Sequence, residues 1–307
     1  MKKCLYCYKA VEKGDFHEKC SLDFFGSKTP PELGYNLKDM ASLAKNVVER
    51  SIAVPGVQPK LSMSLIDEKS NKRVTVVGTL GGDYIFKPPS LDYEQMPENE
   101  HLTMRIAEAF GIKVVPSSLI RLASGELSYL TKRIDRINNE KVHMLDMFQI
   151  TEGVDKYKSS MEKVAKAISS YSENKLFDTL LFFELTLFCF VTGNNDMHLK
   201  NFSLIKSSSG WVFSPAYDLL NVTIVNPTDK EELALTLEGK KSKLKRQHFV
   251  DFGIKSRLTS KQVEGAFKRL LANKSKAESL IQSSFLSLKM QEKYLTVLNE
   301  RFNRLLA

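Results

Sequence analysis

The sequence predicts an α+β fold of two lobes, a small antiparallel-sheet lobe followed by a mainly helical one. Three observations carry this expectation. Between Leu61 and Arg133, short alternating or β-branched runs are punctuated by polar turns and by Pro88-Pro89. From Asp146 onward, apolar residues recur at helical spacing through Met161–Tyr171, Lys175–Thr192 and several segments between Lys261 and Leu306. The one clear interruption of that helical half is Phe202 to Asp218, which reads as a hairpin turning at Ser207-Ser208-Ser209-Gly210. A chain of 307 residues, 42% of them hydrophobic, can fill two cores rather than one. The expected division is a Cys/His knuckle at 1–25, the sheet lobe at 26–135 and the helical lobe at 136–307.

The first residues, Met1-Lys2-Lys3-Cys4-Leu5-Tyr6-Cys7, have a basic start with no apolar stretch behind it, so no secretory signal is expected. A cytoplasmic location is expected, with delivery to another cell by a specialised route left open. Three of the 4 cysteines fall in the first twenty residues, as Cys4-x2-Cys7 followed by His17 and Cys20. In a cytosolic protein such clustering points to metal before disulfide. Thiolates and imidazole suit zinc, so Cys4, Cys7, His17 and Cys20 form a candidate Cys3His set, the alternative being a reduced, metal-free knuckle.

Asn36 caps a predicted helix running to about Arg50, with Leu37, Met40, Ala41, Ala44, Val47 and Val48 at spacings of three and four. Strands follow at 61–65, 74–77 and 83–87, expected as an antiparallel meander. A helix from about Asn99 to Phe110 ends at Gly111, and two further strands lie near 117–122 and 127–133. In the helical half, the apolar run Leu180 to Val191 is too short for a bilayer span of about 20 residues and carries Glu184. It reads as a buried core helix, with Cys189 a small core residue.

The balance of 45 basic against 36 acidic residues, +9 in all, favours an anionic partner such as ATP, nucleic acid or an acidic protein surface. Charge does not choose among them. The densest basic run, Lys240, Lys241, Lys243, Lys245 and Arg246, reads as a solvated face. Neither direct sequence-specific nucleic-acid binding nor a membrane partner is expected.

Directly after the apolar helix comes Thr192-Gly193-Asn194-Asn195-Asp196-Met197-His198-Leu199-Lys200-Asn201. An aspartate followed five positions later by an asparagine, between a hydrophobic helix and a hairpin, has the spacing of a kinase catalytic loop. Asp196 would accept the proton of the attacking hydroxyl, and the Asn201 carbonyl would hold magnesium. The hairpin then delivers Pro215-Ala216-Tyr217-Asp218, whose carboxylate would complete the Mg2+ site. Lys87 ends a strand just before Pro88-Pro89, from where an ammonium can reach the phosphates of ATP. Glu100 is a candidate partner for it, although a first-turn glutamate is equally explained by the helix dipole. The segment Val54 to Lys60 lies where a phosphate-covering loop would fall, but lacks both G-x-G-x-x-G and a Walker A pattern. His198 is expected to pack structurally near the catalytic Asp.

These residues together resemble the HipA-like toxin serine/threonine kinases of bacterial toxin-antitoxin systems. The matching pieces are Pro55-Gly56-Val57-Gln58-Pro59-Lys60, Phe86-Lys87-Pro88-Pro89, Pro97-Glu98-Asn99-Glu100-His101, Lys132-Arg133-Ile134-Asp135-Arg136, Asn195 to Ser203 and Ser214 to Asp218. The resemblance implies a HipA/phosphatidylinositol-kinase-like fold, with ATP and Mg2+ as cofactors. By position, it implies that Gly56, Val57, Gln58 and Lys60 cover the phosphates and that Lys87 contacts them. It makes Lys132, Arg133 and Ile134 the adenine hinge and counts His198 and Tyr217 among the residues around the nucleotide. Lys132 stands where such chains often carry an acidic residue.

About fifty residues precede the phosphate loop, which is similar to the short HipT form, whose missing subdomain comes from a separate small protein, HipS, beside a DNA-binding HipB. The resemblance also implies autophosphorylation of a loop serine that switches the kinase off. With Ser51-Ile52-Ala53 here, Ser51 is the residue for that role. A phosphate there would oppose nucleotide binding by charge. Three functions remain open at this stage: a protein kinase toxin acting on a translation component such as an aminoacyl-tRNA synthetase, a small-molecule or lipid kinase, and a non-catalytic pseudokinase subunit of a repressor complex.

Overall fold

The alternating run that begins at Leu61 forms an interior strand of a five-stranded sheet, one place in from its edge. In a computed structural model of the chain, residues 2–40, 42–43, 60–68, 71–76, 82–90, 92–137 and 140–306 are described. The sheet runs in the order Asn71–Val76, Leu61–Glu68, Tyr84–Lys87, Leu127–Lys132, Ser117–Arg121, every neighbour antiparallel. The expected meander is therefore corrected, because the first strand pairs with both of the next two. The physical reason lies in the pairing: Leu61–Met63 pairs with Tyr84–Phe86 on one side, which buries Leu61, Met63 and Phe86, while Met63–Glu68 pairs with Asn71–Val76 on the other.

Register decides which side chains share a face. Leu61, Phe86 and Leu130 are cross-strand neighbours on one rung, all buried, and they pack in one core with Phe24, Phe25, Met40 and Tyr84. Lys87 is one residue further along and leaves on the opposite face, paired with Tyr129. The helix that follows spans Met96–Ala109, beginning three residues before the expected Asn99. Pro97 sits in its first turn, where a missing N–H costs nothing. Glu100 thereby moves out of the first turn, so the helix dipole does not account for it.

The chain divides into two compact units, one of Met1–His101, Val115–Asn139 and Ser283–Phe285, the other of Leu102–Val114, Glu140–Gln282 and Leu286–Ala307. The first holds the five-stranded sheet, the helix Glu18–Phe25 and the paired strands Lys2–Lys3 and Ala10–Val11. Of the helix expected from Asn36, residues 37–40 and 42–43 are helical, with Asn36 Oδ1 accepting from Asp39 N at 3.0 Å.

The second unit is built around helix Lys175–Val191, mainly apolar and buried through its second half. Phe182 meets Phe202, Phe213 and Phe252 edge-on, and Phe183 meets Phe267 the same way. Such pairs add about 0.5–1.5 kcal/mol each beyond their buried area. Helices Met161–Tyr171, Arg246–Lys255, Ser260–Ala272 and Leu288–Leu306 surround it. Capping locates their starts: Ser160 accepts from Lys163 N, and Thr259 and Gln262 form a reciprocal box. Buried Glu232 takes Arg301 at 3.1 Å and Arg304 at 2.6 Å. Cys189 is fully buried, and burial pushes its thiol well above its usual range. Lys240, Lys243 and Lys245 of the basic run are exposed. Among the described residues no helix is long and apolar enough to cross a membrane.

Candidate active site

The buried helix ends abruptly because Gly193 takes φ +69°, a left-handed turn that only glycine adopts without cost. A Cβ there would lie 2.8 Å from Asn221 Oδ1 and 2.9 Å from Thr223 Oγ1 and Val297 Cγ1. Gly193→Ala should combine left-handed strain with overpacking and lower stability by about 2–4 kcal/mol. The urea midpoint, compared with that of Gly265→Ala within helix Ser260–Ala272, where a Cβ would meet only Arg269 Nη1 at 3.2 Å, reads this directly.

The turn launches the loop that carries Asp196. Asn195, buried, donates from Nδ2 to Asp229 Oδ2 and to the Glu231 carbonyl, both at 3.0 Å. The Asp196 carbonyl accepts from His198 N at 2.9 Å and from Asn201 Nδ2 at 3.1 Å. That second bond fixes the amide flip of Asn201, so its Oδ1 remains the oxygen available as a ligand. His198 and Asn201 are both 7% exposed. The His198 ring stands edge-on to Tyr157 at 5.0 Å.

The hairpin Ser203–Ser207 with Gly210–Phe213 returns the chain toward this loop, as its sequence suggests. Ser214 N donates to the Ser203 carbonyl at 3.0 Å. Tyr217 closes the loop: its hydroxyl is 2.5 Å from Ser203 Oγ and donates to the Lys200 carbonyl at 3.1 Å. Ala216 N donates to the Lys113 carbonyl at 2.8 Å, pinning the same segment from its other side. Asp218 follows with φ +61°, a conformation aspartate tolerates better than most residues but which still marks a constrained position. Asn201 and Asp218 thus sit on neighbouring backbone segments and offer an amide carbonyl and a carboxylate, hard oxygen donors of the kind Mg2+ takes.

Two residues that sequence reasoning did not single out hold this arrangement. Asp178, 3% exposed in the first turn of the buried helix, accepts from Phe213 N at 2.7 Å and from Ser172 Oγ. A carboxylate in so apolar a helix was the available signal. Tyr157 donates its hydroxyl to Asp196 Oδ1 at 2.8 Å. Burial first, and then the Asp196 charge, push the Tyr157 pKa upward, so it remains a donor at neutral pH. No local pattern in Asp155-Lys156-Tyr157-Lys158 announces the contact.

In the first unit, Lys87 Nζ lies 2.6 Å from Glu100 Oε1, the two side chains 5% and 3% exposed. The Tyr129 ring stands 5.5 Å from the same ammonium. The pairing follows from register: Lys87 leaves the sheet on the face away from Phe86, and Glu100 is reached because the helix starts at Met96.

Lys132 ends its strand with Nζ 5.5 Å from the Phe24 ring, and burial lowers its pKa. The backbone N–H groups of Lys132 and Arg133 donate to the carbonyls of Pro116 and Asp83. The Arg133 guanidinium grips Asp135 in a fork, 2.9 Å and 2.5 Å, which holds that carboxyl below its ordinary range. Ile134 lies between them. Lys60 is exposed just before Leu61. Gly56, Val57, Gln58 and Ser51 lie outside the described residues. Cys4, Cys7, His17 and Cys20 come together, their ligand atoms all within 4.8 Å of one another.

An antiparallel-sheet unit with a buried Lys–Glu pair, and a helical unit with an Asp-x4-Asn loop and a later Asp, define a kinase-like two-lobed fold. The chain belongs to the family described as the HipA-like C-terminal domain, whose pattern matches residues 52–278. It is 28% identical to a provisionally named kinase of Haemophilus influenzae over 88% of each chain. It is 25% identical to the serine/threonine-protein kinase toxin HipA of Shewanella oneidensis, over 61% of this chain and 47% of that one. It therefore spans about half the length of that toxin. Among solved structures, Shewanella oneidensis HipA in complex with HipB and operator DNA superposes with a TM-score of 0.70 at 21% identity, over 86% of this chain and 71% of that one. The proinflammatory kinase CtkA of Helicobacter pylori gives 0.54 at 16% identity, over 75% of this chain and 90% of that one. Kinase homology implies use of ATP and a metal ion.

Proposed function

We propose that this chain is a serine/threonine protein kinase of the HipA type that transfers the γ-phosphoryl group of ATP to a protein hydroxyl. The observation that carries the reading is the Asp196 loop, whose carbonyl orients Asn201 while Tyr217 holds the Asp218 segment against Lys200 and Ser203. In this reading residues 26–135 supply the nucleotide lobe and 136–307 the catalytic lobe. Asn201 and Asp218 would hold Mg2+, which when bound offsets the negative charge of the phosphates. Lys87, fixed by Glu100, would contact the phosphates, with Gly56, Val57, Gln58 and Lys60 over them.

Asp196 accepts the proton of the attacking hydroxyl as its oxygen bonds to the γ-phosphorus. The bond from that phosphorus to the β,γ-bridging oxygen breaks, and ADP leaves with the electron pair. Because the N–H groups of Lys132 and Arg133 are engaged within the sheet, adenine would be read through the Ile134 backbone and the neighbouring carbonyls. His198 positions the loop through its backbone N–H and its contact with Tyr157.

The substrate in this reading is a component of translation, to be sought first among aminoacyl-tRNA synthetases, and Ser51 in the phosphate loop is the autophosphorylation site. The Shewanella HipA complex supports a HipB-like DNA-binding antitoxin as partner. A HipS-like small protein belongs to the same proposal through the HipT resemblance. Incubating the purified chain with γ-labelled ATP and a cell extract tests the substrate class: label on serine or threonine of a polypeptide is expected. Label confined to small molecules or lipids would replace it with the alternative kinase reading.

The Tyr157 hydroxyl occupies one of the acceptor positions on the Asp196 carboxylate, to which a substrate hydroxyl would also donate. Tyr157→Phe removes that competitor, so KM for the protein substrate should fall about 2- to 10-fold with kcat little changed, the span of one hydrogen bond. Steady-state kinetics of the two proteins separates this from a loss of loop positioning, which would lower kcat instead.

A further inference from the structure

The N-terminal knuckle has a geometry that the phosphoryl-transfer reading does not use. Cys4 and Cys7 sit on the turn joining strands Lys2–Lys3 and Ala10–Val11, closed by Cys4 N to the Lys9 carbonyl at 2.9 Å and Tyr8 N to the Cys4 carbonyl at 3.0 Å. His17 immediately precedes helix Glu18–Phe25, and Cys20 lies in its first turn. Two separate elements therefore aim four soft or borderline donors at one point. The Cys7 and Cys20 sulfurs lie 3.5 Å and 3.7 Å from His17 Nδ1. A tetrahedral zinc with ordinary Zn–S and Zn–N bonds requires sulfur-to-nitrogen separations of about 3.6 Å.

The other ring nitrogen supplies an independent observation. His17 Nε2 is 2.8 Å from the Ala10 carbonyl, an acceptor only, so Nε2 carries the proton and Nδ1 presents its lone pair to the three sulfurs. A metal-bound histidine is oriented by this kind of outer contact. All four cysteines of the chain are free of disulfides, and Cys189 stands apart from the cluster.

We propose that Cys4, Cys7, His17 and Cys20 bind one structural Zn2+ ion. Four protein donors leave no position for water or substrate, which makes the site structural rather than catalytic. Its mechanical consequence lies in Tyr8, held at φ +67° within the knuckle turn. Tyr8 OH is 2.9 Å from Nδ1 of buried His101 and its ring meets His101 edge-on at 5.3 Å. His101 is adjacent to Glu100, the partner of Lys87, so the metal-clamped turn braces the helix that positions that pair.

The test is metal content of the full chain purified without chelator, with Co2+ substitution as a spectroscopic reporter. Wild type and Cys189→Ala should carry one equivalent of zinc, and the Co2+ form should show the ligand-field and thiolate charge-transfer bands of a tetrahedral sulfur-rich site. Cys7→Ser and Cys20→Ser should fall at least about tenfold in zinc retained after dialysis, while His17→Cys should keep it as a Cys4 site. Wild type with less than about a tenth of an equivalent and no tetrahedral Co2+ bands after incubation with the ion would overturn the assignment. Equal zinc in wild type and Cys7→Ser would overturn it too. None of these readouts depends on phosphoryl transfer.

Discussion

Asp196→Asn is expected to lower kcat for phosphoryl transfer by about 10²- to 10⁴-fold, the contribution of a positioned general base. Stability should stay within about 0.5 kcal/mol of wild type. The loop is held by the Asp196 carbonyl, which accepts from His198 N and Asn201 Nδ2, and the substitution leaves that carbonyl in place. An asparagine Oδ1 can still accept from the Tyr157 hydroxyl. KM for ATP should be nearly unchanged, because the lost interaction develops only as the hydroxyl gives up its proton. Single-turnover kinetics beside a urea titration separates the two quantities. A variant that loses activity and stability together would move Asp196 from chemistry to scaffolding.

Breaking the Lys87–Glu100 pair should have the largest effect on stability. Both side chains are at most 5% exposed and 2.6 Å apart, so removing one partner leaves a buried charge poorly compensated. Lys87→Met or Glu100→Leu alone should each cost about 3–5 kcal/mol, whereas the double variant should recover most of that loss. Phosphoryl transfer should be absent from Lys87→Met and from the double variant alike. Denaturation midpoints show the recovery, and a nucleotide-binding titration shows that it does not extend to ATP. Additive losses in the double variant would mean the pair is held by its surroundings rather than by its charges.

What could be read from the sequence was local. The Asp196-to-Asn201 spacing, the hairpin behind it and the apolar helix before it are contiguous patterns, and the fold preserves all three in order. Long-range pairing was harder to read. The three strands at 61–87 were expected to pair consecutively, but the first lies between the other two, its Leu61–Met63 end paired with Tyr84–Phe86 and its Met63–Glu68 stretch with Asn71–Val76. Glu100 could be read either as a partner of Lys87 or as a dipole-compensating residue, and the helix start at Met96 with the 2.6 Å contact to Lys87 Nζ decides for the pair. Tyr157 and Asp178 act across 39 and 35 residues, on Asp196 Oδ1 and Phe213 N, and nothing at their own positions encodes those partners. The cysteine knuckle was legible as a spacing, and the fold adds the orientation of His17.

The most direct test of the account is label transfer from γ-labelled ATP by the purified chain, followed across Mg2+ concentration for wild type beside Asp218→Asn. Mg2+-dependent transfer by wild type is expected, with loss of transfer in the variant at every Mg2+ concentration where wild type is saturated. Wild-type transfer by Asp218→Asn with the same Mg2+ dependence would contradict it.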